Sequence, residues 1–163
     1  MDNAKIYIGE IEHQIQYAKM CFDSYKKARQ DNDIPLIFFY VHHFVVHIAN
    51  IDKLLNPKKS NNPRKKLIEK YFDLKNINLK DFRRLRNHLE HFDERLDEWI
   101  LNHDGHTFFD MNLVTGTSGF PEKAFLRAMD GDIFKFYGES FNLNLILNQL
   151  SEIEKKIQKI EMM

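Results

Sequence analysis

Four segments of this chain step apolar residues alternately by three and by four, and that pattern limits the folds open to it more than any other feature. The first carries Ile8, Ile11, Ile15, Ala18, Phe22 and Tyr25. The second carries Ile37, Val41, Phe44, Ile48, Ile51 and Leu55, and the third Phe82, Leu85, Leu89, Phe92, Leu96 and Trp99. The fourth carries Leu143, Ile146, Leu150, Ile153, Ile157 and Ile160. Each set lies on one face of a helix and has to be buried against something similar. The expectation is a mainly all-α domain, a four-helix up-and-down bundle with helices over 6–27, 34–56, 79–103 and 142–161.

Local signals set the ends. Asp33 before Pro35 reads as a helix start and Asn56-Pro57 as a stop. Asn78 with Asp81 resembles a capping arrangement, and Gly105 is suited to close the third helix in a left-handed conformation. One short helix is expected near 65–72. Residues 107–138 read differently. Phe108, Phe109, Met111, Leu113 and Val114 form a β-prone run, the turn 115–119 follows, and two further runs flank Asp130-Gly131-Asp132. Asp-Gly between such runs signals a hairpin. A small antiparallel meander, inserted between helices three and four and standing on the bundle, is expected inside a single domain over 1–163.

Composition narrows the function classes. Twenty-four basic residues balance twenty-four acidic ones, so no global charge draws the chain to nucleic acid, and any such contact has to be local. Cys21, the single cysteine, sits at a helical core position and fits a reducing, cytoplasmic setting. Residues 34–51 carry no Asp, Glu, Lys or Arg, but His42, His43, His47 and Asn50 are costly in lipid. A buried core helix is the reading, with no membrane partner. Phe38, Phe39, Tyr40, Val45 and Val46 lie outside that helix's main stripe, which points to a central helix that also pairs with a second copy, giving a homodimer.

The densest polar run is 83–95 on helix three: Arg83, Arg84, Arg86, Asn87, His88, Glu90, His91, Asp93, Glu94 and Arg95. At about 100° per residue, Arg86, Asn87, Glu90 and His91 share the broad face turned from the apolar stripe, while His88 lies on the stripe's other side. Arg86 and Glu90 have i,i+4 spacing, so a solvated ion-paired face is the structural reading. Arg86-Asn87, followed by His91, resembles the motif of the HEPN superfamily, an all-α bundle. Its many nuclease members carry an Arg, usually followed by a polar residue, and a His four to six residues beyond.

The resemblance implies a metal-independent RNA endonuclease without cofactors, leaving a 2′,3′-cyclic phosphate, commonly dimeric, in a toxin–antitoxin or defence role. In that reading His91 moves a proton, Arg86 holds the phosphate and Asn87 orients one of them. A toxin subgroup has Tyr two residues after the His, where a partner nucleotidyltransferase modifies it. Here Asp93 stands there, which argues against that partnership. Glu90 and the basic stretch Lys58, Lys59, Arg64, Lys65 and Lys66 are the candidate substrate-binding residues, the basic stretch being the local candidate for gripping an RNA backbone. His43 and His47 are spaced like a metal pair without a completing carboxylate or cysteine, and Glu10-x-x-His13 has no second copy for a di-iron centre, so no metal is expected. The competing function is a non-catalytic dimeric module that binds a protein or nucleotide through the same polar face.

Overall fold

The computed structural model describes residues 3–57, 62–71, 73–74, 77–103, 110–121 and 123–161. It is mainly helical, with a small mixed sheet. The helices are α1 (Asn3–Gln30), α2 (Ile34–Leu55), α3 (Pro63–Glu69), α4 (Lys80–Glu90), α5 (Phe92–His103) and α6 (Leu143–Glu161). The strands are β1 (Asp110–Val114), β2 (Arg127–Asp130), β3 (Ile133–Phe136) and β4 (Glu139–Asn142).

Helices α1 and α2 form a hairpin. Asn32 adopts φ 55, and the N–H groups of Asp33 and Asn32 donate to the carbonyls of Ala28 and Arg29. That pair of bonds is the Schellman closure of a helix. Asp33 then starts α2, its carboxylate accepting from Leu36 N–H at 3.1 Å. Leu79, not Asn78, is the N-cap of α4 and makes no side-chain cap bond; Asn78 lies one residue before it and accepts from Lys80 N–H at 3.0 Å. Gly105, Phe108 and Phe109 lie outside the described residues.

Two expectations need correction. The third helix is not continuous: α4 ends at Glu90, His91 takes φ −117 and ψ 33, and α5 begins at Phe92. Helix α4 lies on α2 through buried Phe82 and Leu85, whereas Trp99 of α5 donates its indole N–H to Ala124 O beside the sheet, at 2.9 Å. One straight helix cannot serve both surfaces, and the bend falls at His91. Bonds from His91 N–H to Asn87 O and from Arg95 N–H to His91 O span the junction.

The sheet is also not a pure antiparallel meander. Strands β2, β3 and β4 are antiparallel, but β1 runs parallel to β2, in the order β1-β2-β3-β4. The Asp-Gly hairpin forms as expected, with Gly131 at φ 60 opening a two-residue loop. The next loop, Tyr137-Gly138, has φ 46 and 85, the pair of positive values a I′ turn requires. It adds β4, which runs directly into α6.

Leu126, Met129, Phe134, Phe136 and Phe141 enter the same core as the stripes of α1, α2, α4 and α6. The sheet therefore forms one wall of the core and does not stand on a finished bundle. It also covers the second apolar side of α2: Phe38 and Val45 are buried and border a small cavity with Phe134 and Phe136. Among α2 residues, Ile34, Leu36 and Phe39 stay exposed. By length and composition α2 is long and apolar enough to cross a membrane, while its main stripe is packed against the rest of the chain.

A polar clasp ties the sheet to α1. The Asp132 carboxylate accepts from Tyr25 Oη at 2.7 Å, Lys26 Nζ at 3.0 Å, Arg29 Nη1 at 3.2 Å and Asn144 Nδ2 at 2.8 Å. Arg29 also donates to Gly131 O. Partial burial alone pushes the Asp132 carboxyl up, but the bonds from Tyr25, Lys26 and Asn144 outweigh it and bring its pKa down to about 2. Burial and the neighbouring Asp132 push the Tyr25 hydroxyl up to about 12.

Candidate functional site

The helix-three motif sits at the α4–α5 junction, and its members occupy unlike environments. Arg86 is not on a solvated face. Its side chain is 10 % exposed, with Nη1 at 3.1 Å from Asp52 Oδ2 and Nε donating to Glu90 Oε1 at 3.2 Å. A longer bond of 3.4 Å runs from Nη1 to Asn56 O. Asp52 is fully buried, and Asn56 Nδ2 supplies its second bond at 2.8 Å. The helical spacing puts Arg86 on a solvated face, but α2 presents Asp52 to it there. Ile48, Ile51, Asp52 and Leu55 share one stripe, and an acid in such a stripe has to find a buried cation. Asp52 is thus the residue missed from sequence, and its position in the stripe was the available signal.

His88 is buried as well, 3 % exposed, and lies on the core rather than beside it. Its ring stacks on Phe136 at 4.8 Å and meets Phe141 edge-on at 5.8 Å. Nε2 lies 3.3 Å from Glu139 Oε1, and neither ring nitrogen forms a well-directed hydrogen bond. Burial pushes its pKa down, only partly countered by Glu139.

Asn87 is exposed. His91, at the bend, has a side chain 43 % exposed, with Nδ1 at 3.1 Å from Glu94 Oε1. Glu90 joins Arg86 and also lies 3.7 Å from Lys53 Nζ.

Arg86, Asn87 and Glu90 line one open cleft of about 390 Å³ together with Arg83, Lys65 and Asn56. His91 does not line it, but follows directly on the turn that does. Arg83 is exposed, and its guanidinium has no bonding partner among the described residues. Lys65 keeps a loose pair with Glu69 at 3.8 Å. Arg86 Nη2 makes no hydrogen bond among the described residues, which leaves two N–H groups of a fixed guanidinium for the cleft.

The basic stretch divides. Lys58 and Lys59 lie outside the described residues. Arg64 is committed to structure, donating to Leu54 O at 3.2 Å and Lys53 O at 2.8 Å and so closing the C-terminal end of α2. Lys66 is exposed on α3 and does not line the cleft. Of the described part of that stretch, only Lys65 faces the motif.

Two further histidines make local contacts. His43 Nδ1 contacts Phe39 O at 2.8 Å, and His47 Nδ1 contacts Gln14 Oε1 at 2.8 Å. Among the described residues, no three His, Cys, Asp or Glu side chains gather as a metal site requires.

Comparison of the chain with protein-family models, with curated proteins and with solved structures finds no match.

Proposed function

We propose that this chain is a metal-independent RNA endonuclease acting at the α4–α5 bend. One observation carries the reading: Arg83, Arg86, Asn87 and Lys65 line a single cleft, and His91 is displayed at the helix break that ends it. An imidazole is the side chain whose ordinary range spans neutral pH. With the proton on Nδ1 directed at Glu94, His91 Nε2 is the free base. It takes the proton of a ribose 2′-hydroxyl, the 2′-oxygen attacks phosphorus, and the P–O5′ bond breaks. The products are a 2′,3′-cyclic phosphate and a 5′-hydroxyl, the leaving oxygen being protonated by the imidazolium or by water. Guanidinium and amide N–H groups oppose the charge that grows on the phosphate oxygens.

The resembled family supplies the wider frame, in which α1, α2, the bent α4–α5 pair and α6 are the four bundle helices and two copies pair. The exposed Ile34, Leu36 and Phe39 of α2 are the surface we assign to that pairing. A second reading draws on a specific observation, that Asp52, Glu90 and Asn56 already occupy Nε and Nη1 of Arg86. That suits a binding module as well as an enzyme.

Incubation of the purified protein with RNA in EDTA separates the two. Cleavage leaving cyclic-phosphate ends is expected, with His91→Ala slower by about a hundredfold or more and its melting temperature unchanged. No cleavage by the wild type, or equal cleavage by His91→Ala, overturns the enzyme reading in favour of the module.

A further inference from the structure

The cleft beside the motif does not end at Arg83. A second open cleft, of about 470 Å³, shares Asn56 and Arg83 with the first and continues past the start of α4. The two form one groove whose halves differ in chemistry. The half beside the motif presents Lys65, Arg86 and Asn87, together with Glu90, whose carboxylate lies against Arg86 and Lys53. The other presents Leu74, Ile77 and Leu79, apolar side chains only partly buried on the core, with exposed Lys80 and the ion-paired Arg84 also lining it. Arg83 stands where the halves meet, a cation with no ionic partner among the described residues. Its neighbours Arg84 and Arg86 are both ion-paired, with Asp81 and Glu139 and with Asp52 and Glu90.

We propose that this groove is a strand-binding site for unpaired RNA. Arg83 holds the phosphate next to the one at Arg86 and Asn87, and the shelf of Leu74, Ile77 and Leu79 carries the neighbouring base. The occupant follows from the alternation of surfaces. A groove in which Lys65, Arg83 and Arg86 outnumber the one carboxylate of Glu90, followed by an apolar stretch bordered by further cations, matches a chain of phosphates with flat apolar faces between them. A duplex hides those faces in its stack and offers the shelf nothing. An acidic peptide meets the cations but brings no planar ring. The inference rests on the ribonuclease reading for its place in a reaction, but not for binding itself.

The test uses the full chain and a short fluorescein-labelled 2′-O-methyl RNA, which cannot supply the attacking hydroxyl, so binding is read without cleavage. Anisotropy is expected to show the single strand bound about tenfold or more tighter than a duplex of the same sequence. Arg83→Ala is expected to weaken binding by about tenfold and to lower the slope of log affinity against log salt by about 0.7, the contribution of one phosphate on a single strand. Ile77→Ser tests the shelf, and Lys80→Glu, at an exposed site, covers the case in which Ile77→Ser unfolds the chain. Equal affinity for duplex, equal competition by an acidic peptide, or unchanged binding in both Arg83→Ala and Lys80→Glu overturns the groove. Strand binding with no cleavage of ordinary RNA keeps the groove and removes the nuclease. Cleavage indifferent to Arg83→Ala and Lys80→Glu does the reverse.

Discussion

Replacing Arg86 by Met keeps the aliphatic stem and deletes the charge. Its partner Asp52 is fully buried, so the variant leaves a carboxylate without its cation in the core between α2 and α4. Removing one member of a buried pair costs about 3–5 kcal/mol. The Asn56 amide, 2.8 Å from Asp52 Oδ1, remains in place and puts the expectation at the lower end, about 3 kcal/mol. For a chain of this size that corresponds to a melting temperature lower by about 6–12 °C. The double variant Asp52→Leu/Arg86→Met removes both desolvation penalties and is expected to return to within about 1 kcal/mol of the wild type. Urea unfolding followed by far-ultraviolet circular dichroism reads both numbers. A single variant within about 0.5 kcal/mol of the wild type would mean that Arg86 behaves as an ordinary surface residue, and the buried pair would be wrong. A double variant less stable than the single would refute the desolvation argument. Lost activity in an Arg86 variant therefore cannot be credited to catalysis until its stability has been measured.

Acid should weaken the fold in two stages. The folded pKa of His88 lies below its ordinary 6.5, so the stabilisation is fully present above that pH and is lost as pH falls from 6.5 toward the folded value; His88→Leu should flatten this stage in part, since His42 and His47 are shifted the same way. Asp132, lowered from 3.8 to about 2, contributes above 3.8 and loses its contribution as pH falls toward about 2, a stage that Asp132→Asn should reduce, Glu152 being lowered too, as read by melting temperature across pH. If α2 pairs two copies, light scattering at micromolar concentration should give a dimer, and Phe39→Glu a monomer; a wild-type monomer refutes the pairing.

Periodicity carried the helices because each stripe is a statement about one element. Ile8 to Tyr25 and Leu143 to Ile157 are buried where the spacing puts them. It failed where the answer depended on a second element. The stripe from Phe82 to Trp99 has no gap at His91, and the bend appears only because α2 and the sheet ask for the two halves in different places. Strand β4 falls between the expected strands, which end at 138, and the expected last helix from 142, since Tyr137-Gly138 gives a weaker hairpin signal than the Asp-Gly before it. Parallel pairing of β1 has no local signature, because it is made across the chain rather than by a turn. The site was legible in residue identity and not in environment. Helical angle puts Arg86 and His88 on opposite sides of a stripe, yet both are buried, because α2 packs on one side of α4 and Phe136 and Phe141 of the sheet meet His88 on the other.

The clasp at Asp132 bears on the order in which the chain can fold. Its bonds to Lys26 and Tyr25 join positions 106 and 107 residues apart, whereas the α1–α2 hairpin closes over a three-residue connection. Local closures form fast and distant ones slowly, because loop entropy is spent before the contact repays it. The hairpin is therefore available early, and the sheet can lock onto it only after the β2–β3 turn exists. Asp132 O also accepts from Leu143 N–H at 3.0 Å, where α6 begins. Docking of the turn thus seats the last helix in the same event. A chain with that turn disrupted would retain the local closure of α1 on α2 yet leave Lys26 and Arg29 without their anionic partner, and the final helix would lose the carbonyl that holds its first N–H.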